Sequence, residues 1–170
     1  FNGMNMAYNY YSRNQLAVGY LDGRTPCIIA LRGTYSLMLA EAWQLKDGRL
    51  EPLWKYNSGD YGREFHGQGA HSTRTVDLDG DGRKDIFLLR FEAEQPQGIA
   101  ELYRWQAGQM EREKEAYLTA GASLVKRILT GNLMKDIPAV FVSSAYEDTG
   151  LVTDVFAFQN GVFQSVTMRE

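Results

Sequence analysis

Cysteine is nearly absent: Cys27 is the only one in 170 residues. That excludes an internal disulfide and, with just two histidines in the chain, any paired Cys and His set for zinc. Cys27 lies in the apolar run "PCIIAL", where it reads as a small buried side chain, and its presence does not decide the compartment. No stretch approaches eighteen apolar residues, so no transmembrane segment is expected. The opening "FNGMNMAYNYY" is no leader of Met plus basic and apolar residues, and the starting Phe1 is read as a sign that a longer product was trimmed, any export signal going with it. Charge of one sign is lacking too: 18 Lys and Arg face 21 Asp and Glu, net −3. That is no footprint for nucleic acid, and it leaves room only for a polyanion gripped by a few Arg or Lys and a bound metal. With 23% charged and 12% aromatic residues, nothing suggests disorder, and the length suffices for one domain with a core. Walker loops, dinucleotide glycine fingerprints and nucleophile elbows are missing.

What the chain does have is a repeat. "VGYLDGRTPCIIALRG", "VDLDGDGRKDIFLLRF" and "TGNLMKDIPAVFVSS" each place a turn before an apolar strand, and each is followed by a second pair of strands. Pro26, Asp85 and Pro138 are 59 and 53 residues apart, and the central aromatics Trp43, Tyr103 and Phe156 are 60 and 53 apart. The later strands are joined at Asp47-Gly48, Ala107-Gly108 and Asn160-Gly161, the two-residue turns that need positive φ. The fold class expected is all-β: about three β-propeller-type blades of antiparallel strands over residues 16–56, 72–117 and 125–170, in one domain or fragment covering 1–170. The alternative is a β-sandwich with coincidental repeats. "QMEREKEAYLTA" has helical propensity, but its place in the repeat makes it a hairpin strand. Three blades do not close a ring, so a larger parent chain or an oligomer is expected to complete the array.

The stretch "VDLDGDGRKDIFLL" carries the sharpest chemistry. Asp77, Asp79 and Asp81 fall at positions 1, 3 and 5 of a calcium loop, Gly82 at 6, the Arg83 carbonyl at 7 and Asp85 at 9, the oxygen-ligand order of an EF-hand-like site. Gly80 and Gly82 allow the tight coiling that converges alternate carboxylates. Four carboxylates in one short loop repel each other, which favours a hard divalent cation, Ca2+, as the partner. Leu88 stands where an EF-hand has its bidentate Glu, and "DIFLLRF" is β-like, so the expectation is a calcium loop at a strand entry. The alternative is a solvated Asp/Gly turn.

Arg32-Gly33-Thr34-Tyr35, Ala40 to Trp43, Asp47-Gly48, Leu53-Trp54-Lys55, Gly67-Gln68-Gly69-Ala70-His71 and the Asp loop, in that order, together resemble the propeller of bacterial rhamnogalacturonan I lyases. The resemblance runs from about Leu16 to Leu89. It implies a secreted or cell-surface bacterial pectin degrader that cleaves between rhamnose and galacturonic acid by β-elimination and binds several calcium ions. Beyond Leu89 the family pattern would continue with a Gly-Ser segment and an acidic loop, where this chain has "RFEAEQPQGIAELYRW". That part is more similar to FG-GAP/VCBS-type propeller repeats of bacterial surface lipoproteins, which implies a non-catalytic module for surface carbohydrate or protein binding.

Elimination across a uronate needs its carboxylate neutralised, a base for the adjacent proton and help for the leaving oxygen. His71, six residues before Asp77, is expected near the calcium loop and is the candidate base, with His66 a weaker one. Calcium or an Arg could neutralise the carboxylate and a His, Lys or Arg could be the base; Arg32, opening "RGTY" after a strand, is the other catalytic candidate. Tyr35, Trp43 and Trp54 are read as blade packing, with stacking on sugar rings as the alternative. The expected whole is a calcium-binding segment of a polysaccharide lyase acting on rhamnogalacturonan I, inactive in isolation because one wall does not make a cleft.

Overall fold

A computed structural model describes residues 14–32, 39–57, 60, 73–91, 98–113, 115–119, 124–146 and 150–166. Among these the architecture is antiparallel β throughout, without α-helix, and no helix is long and apolar enough to cross a membrane. The first sheet runs β1 (Asn14–Gly19), β2 (Cys27–Arg32), β3 (Leu39–Lys46), β4 (Arg49–Asn57). The second runs β5 (Thr73–Val76), β6 (Asp85–Phe91), β7 (Gly98–Gln106), β8 (Gln109–Arg112), with β9 (Ala116–Tyr117) also on β7. The third runs β10 (Leu124–Leu133), β11 (Ile137–Tyr146), β12 (Gly150–Gln159), β13 (Val162–Ser165). Along the four-strand path of each sheet the strand order is chain order, so consecutive strands there pair antiparallel. "QMEREKEAYLTA" supplies β8 and β9, which pair with successive parts of one edge of β7; the tertiary edge overrides helical propensity.

The tight turns follow from their residues. Asp47 and Gly48 have φ of 48° and 75°, Ala107 and Gly108 49° and 88°, Asn160 and Gly161 53° and 75°. Left-handed backbone at both central positions matches the twist of the flanking strands. Ala107 holds it against its own Cβ.

The sheets stack face to face in chain order. Ile29, Leu31, Ala40, Ala42 and Tyr56 of the first sheet meet Ile86, Leu88 and Tyr103 of the second, with Leu21 and Cys27 also in this layer. The second sheet's opposite face, with Phe87, Leu89, Ala100 and Leu102, meets Ile128, Val140, Val142, Phe156 and Phe163 of the third. Covered on both faces, β7 is buried continuously from Gly98 to Tyr103, whereas β2 alternates buried and accessible residues, the difference expected between a central and an outer layer. Phe87 and Phe156 pack as a tilted pair with ring centroids 5.6 Å apart, and Phe156 and Phe163 stack at 6.1 Å.

The repeat is visible in register. Trp43 lies opposite Ile28, Tyr103 opposite Ile86 and Phe156 opposite Val140. Tyr103 faces the first sheet and Phe156 the second, so each of these aromatics points towards the preceding sheet. Trp43 takes the same direction, onto the face it shares with Ile28 (39% exposed) and Val18 (67% exposed).

Candidate metal centre

The loop from Asp77 to Lys84 joins β5 to β6. Leu78, 1% exposed, anchors its start in the core between the second and third sheets, and the turn above it is built by carboxylates accepting backbone N–H groups. Asp77 accepts from Gly80 at 2.8 Å and from Gly82 at 3.0 Å. Asp81 N–H donates to Asp79 at 3.3 Å, and Arg83 N–H donates to Asp81 at 2.8 Å. Gly80 and Gly82 have φ of 76° and 85°. A Cβ at either would meet nothing within 4 Å, so glycine is required there for its backbone conformation and not for space. This coiling brings one carboxylate oxygen each of Asp77, Asp79 and Asp81 within 4.8 Å of one another.

Asp85 behaves differently. It is 2% exposed, and its Oδ2 accepts the Leu78 N–H at 3.0 Å, closing the base of the loop. Burial pushes its pKa up to about 7, with the charge of Asp79 adding to the effect and the Leu78 hydrogen bond and Arg104 opposing it. Arg83 folds back onto Asp81, Nε donating at 2.8 Å; this hydrogen bond, first of all, holds Asp81 below the ordinary carboxylate range.

Sequence reasoning did not find Arg104 or Glu113. Arg104, on β7, donates to Asp79, lies 4.0 Å from Asp81 and places Nε 3.7 Å from Asp85 Oδ1. Its Nη1 donates to Glu113 at 2.7 Å, and its guanidinium sits 4.9 Å from the centroid of the Phe158 ring on β12. Nε is buried without a hydrogen-bond acceptor among the described residues; at 3.7 Å the Asp85 contact is a charge interaction and not a hydrogen bond. No local pattern signals this arrangement, since Arg104 is 25 residues from Asp79.

The donor set suits a hard cation. It is all oxygen, carries excess negative charge and shares a backbone turn of the right spacing. The Arg83 side chain is committed to Asp81, which leaves its carbonyl as the group proposed for position 7.

Arg32 is not brought to this loop. It ends β2, whose start at Cys27 adjoins the loop end of the stack, where Lys84 N–H donates to the Tyr20 carbonyl at 3.0 Å. Five residue steps of roughly 3.3 Å put about 16 Å between the two ends. His71 and His66 lie outside the described residues. The expectation of His71 near the calcium loop therefore falls outside what the described residues address; β5 itself runs from Thr73, opposite Leu88, to Val76, opposite Asp85. Trp54 packs 4.8 Å from the Tyr103 ring and 6.3 Å from Tyr56, which is the packing role expected of it. Trp43 donates Nε1 to Glu41 at 3.2 Å. Tyr35 lies outside the described residues.

Residues 6–109 match the family model for rhamnogalacturonan lyase family 11, C-terminal domain. The chain belongs to this family. The match covers the first sheet, the Asp loop and the second sheet as far as β8, extending past both limits of the Leu16–Leu89 resemblance; the third sheet lies outside it. The rhamnogalacturonan endolyase YesW of Bacillus subtilis (strain 168) is 39% identical over 81 residues, 47% of this family 11 chain and 13% of the relative. The rhamnogalacturonan exolyase YesX of the same organism is 37% identical over 79 residues, 46% and 13% of the two chains. The family 11 chain thus aligns with a small part of each relative. The crystal structures of YesX and YesW align with 95% of the chain and with 32% and 38% of those structures, at 17% identity and TM-scores of 0.43 and 0.44.

Proposed function

We propose that this chain is a calcium-binding β-propeller segment of a secreted or cell-surface bacterial lyase that cleaves rhamnogalacturonan I by β-elimination. The observation that carries the reading is the convergence of Asp77, Asp79 and Asp81 within 4.8 Å inside the stretch that matches the family. The propeller is supported by three meander sheets stacked in chain order and by equivalent aromatics pointing the same way along the stack. A further sheet against the Trp43 face would continue the series.

The metal would be held by Asp77, Asp79, Asp81, the Arg83 carbonyl and Asp85. Its chemistry there is charge neutralisation that stabilises the loop. Arg32, at the end of β2 away from the loop, is assigned to neutralise a uronate carboxylate, and His71 is assigned to take the proton beside it. The separation of Arg32 from the metal follows from the roughly 16 Å of strand between Arg32 and the loop. Elimination demands a walled cleft held to a fraction of an ångström, and three sheets supply one wall. The isolated chain is therefore assigned binding and support, without turnover. Incubation with rhamnogalacturonan I, followed by absorbance of the unsaturated uronate product, tests this. Product release that disappears in His71→Ala would make the fragment itself an enzyme.

A second reading has its own observation: the third sheet lies outside the family match. On that reading the chain is an FG-GAP/VCBS-like, non-catalytic module for surface carbohydrate or protein binding. Lyase activity in the full-length parent that is lost with Arg32→Ala would decide for the first.

A further inference from the structure

The acidic loop is already met by a cation from the neighbouring strand, and that cation's other attachments show what it is placed to do. Four carboxylates, those of Asp77, Asp79, Asp81 and Asp85, are met by two guanidinium groups, Arg83 and Arg104. The two are not equivalent. Arg83 belongs to the loop and pairs with Asp81 two residues away. Arg104 comes from the adjacent strand, with Nη2 on Asp79 and Nε 3.7 Å from Asp85 Oδ1.

The rest of Arg104 is held independently. Glu113 accepts from Nη1 at 2.7 Å and is itself fixed by Gln106, whose Nε2 donates to the same oxygen at 2.6 Å. The Phe158 ring covers the guanidinium from the third sheet. If Asp79 turned to a metal, Arg104 would keep a carboxylate and an aromatic face. Asp79 cannot serve both partners well, because a guanidinium hydrogen-bonded to a carboxylate and a divalent ion bound to it compete for the same charge.

We propose that Arg104 is the loop's internal counter-cation: it neutralises Asp79 while no divalent ion is bound, yields that carboxylate when calcium binds, and stays anchored on Glu113 and Phe158 throughout. Arg104 thereby sets the calcium affinity of the loop below what its carboxylates alone would provide, and it keeps the metal-free loop folded. The proposal rests on the calcium reading above, and the test separates the two.

Calcium titration by isothermal calorimetry, with thermal melts of the same samples, provides the readouts. In Arg104→Met the competitor is gone, so the calcium dissociation constant should fall about tenfold, the equivalent of ~1.4 kcal/mol. The melting midpoint without calcium should fall as well, so that calcium restores more than it adds in the unaltered chain. Glu113→Gln should act in the opposite direction: without its second carboxylate, Arg104 leans harder on Asp79 and calcium binds more weakly. Arg104→Lys retains the charge and should stay close to the unaltered affinity; if Arg104→Met does not fold without metal, the Lys and Gln variants still give the sign. Calcium binding by the unaltered chain with equal or weaker affinity in folded Arg104→Met, or tighter affinity in Glu113→Gln, overturns the counter-cation role and leaves the metal site standing. No calcium response in the unaltered chain would remove both.

Discussion

The two loops that open the first and second sheets begin alike and end differently. Leu21-Asp22-Gly23 and Leu78-Asp79-Gly80 both bury the leucine, at 0% and 1% exposure, and both put the glycine at φ near 77° (78° and 76°). After that they diverge. In the first loop Asp22 satisfies the turn by itself, accepting the N–H groups of Arg24 at 2.8 Å and Thr25 at 2.7 Å and the Thr25 hydroxyl at 2.7 Å. In the second, Asp77 and Asp81 flank Asp79 where the first loop has Tyr20 and Arg24. One scaffold therefore makes either a self-contained turn or a cluster of charge that calls for a cation. The difference lies in residues that do not enter the core.

The largest effect should test what the loops share. Leu21→Ala and Leu78→Ala each remove a fully buried side chain and should cost about 2–5 kcal/mol in urea denaturation. A much smaller loss in one would mean that the two anchors are not equivalent. Next comes calcium, which should separate the loops. At a hundredfold excess over the dissociation constant it should stabilise the chain by about 2.7 kcal/mol, and Asp79→Ala should abolish that gain, whereas Asp22→Ala should leave it intact. A melting midpoint insensitive to chelator would erase the contrast.

Acidity sharpens it further, because the two loops have aspartates shifted in opposite senses. Burial raises Asp85 to about 7. Its neutral form is favoured in the folded chain, so it contributes stability below the ordinary Asp value near 4, and this is lost as pH rises through 7. Asp22 is lowered: burial opposes the shift, but the hydrogen bonds from Thr25 and Arg24 outweigh it. Its stabilisation is present at neutral pH and is lost as pH falls through its depressed value. In calcium-free protein, Asp85→Asn should flatten the decline between pH 4 and 7, while Asp22→Asn should flatten only the acid limb. Melts across pH separate the two limbs. The smallest expected difference concerns the glycines. Gly23→Ala and Gly80→Ala both incur about 1–2 kcal/mol for left-handed backbone, but a Cβ at Gly23 would also meet Arg83 Cγ at 3.0 Å, whereas Gly80 faces open space. Gly23→Ala should therefore be the more destabilising of the pair. Equal costs would show that Arg83 moves aside freely.

Short-range chemistry made much of this chain legible from its sequence. Left-handed turns need Asn, Asp or Gly within two residues, so Asp47-Gly48 and Asn160-Gly161 announced their hairpins, and alternating apolar strands at a regular period announced three repeated sheets. The Asp spacing of the loop is local in the same sense, since six carboxylate oxygens within five residues converge if the backbone coils at Gly80 and Gly82. Only the tertiary structure could place Arg104 against Asp79 or bury Asp85 at the loop's base, because both depend on which strands lie side by side. It also set Arg32 apart from the Asp loop: each residue was recognisable as chemistry, but the length of a β-strand decided that the two stand at opposite ends of the stack. Charges act through space, and the distances between them belong to the fold.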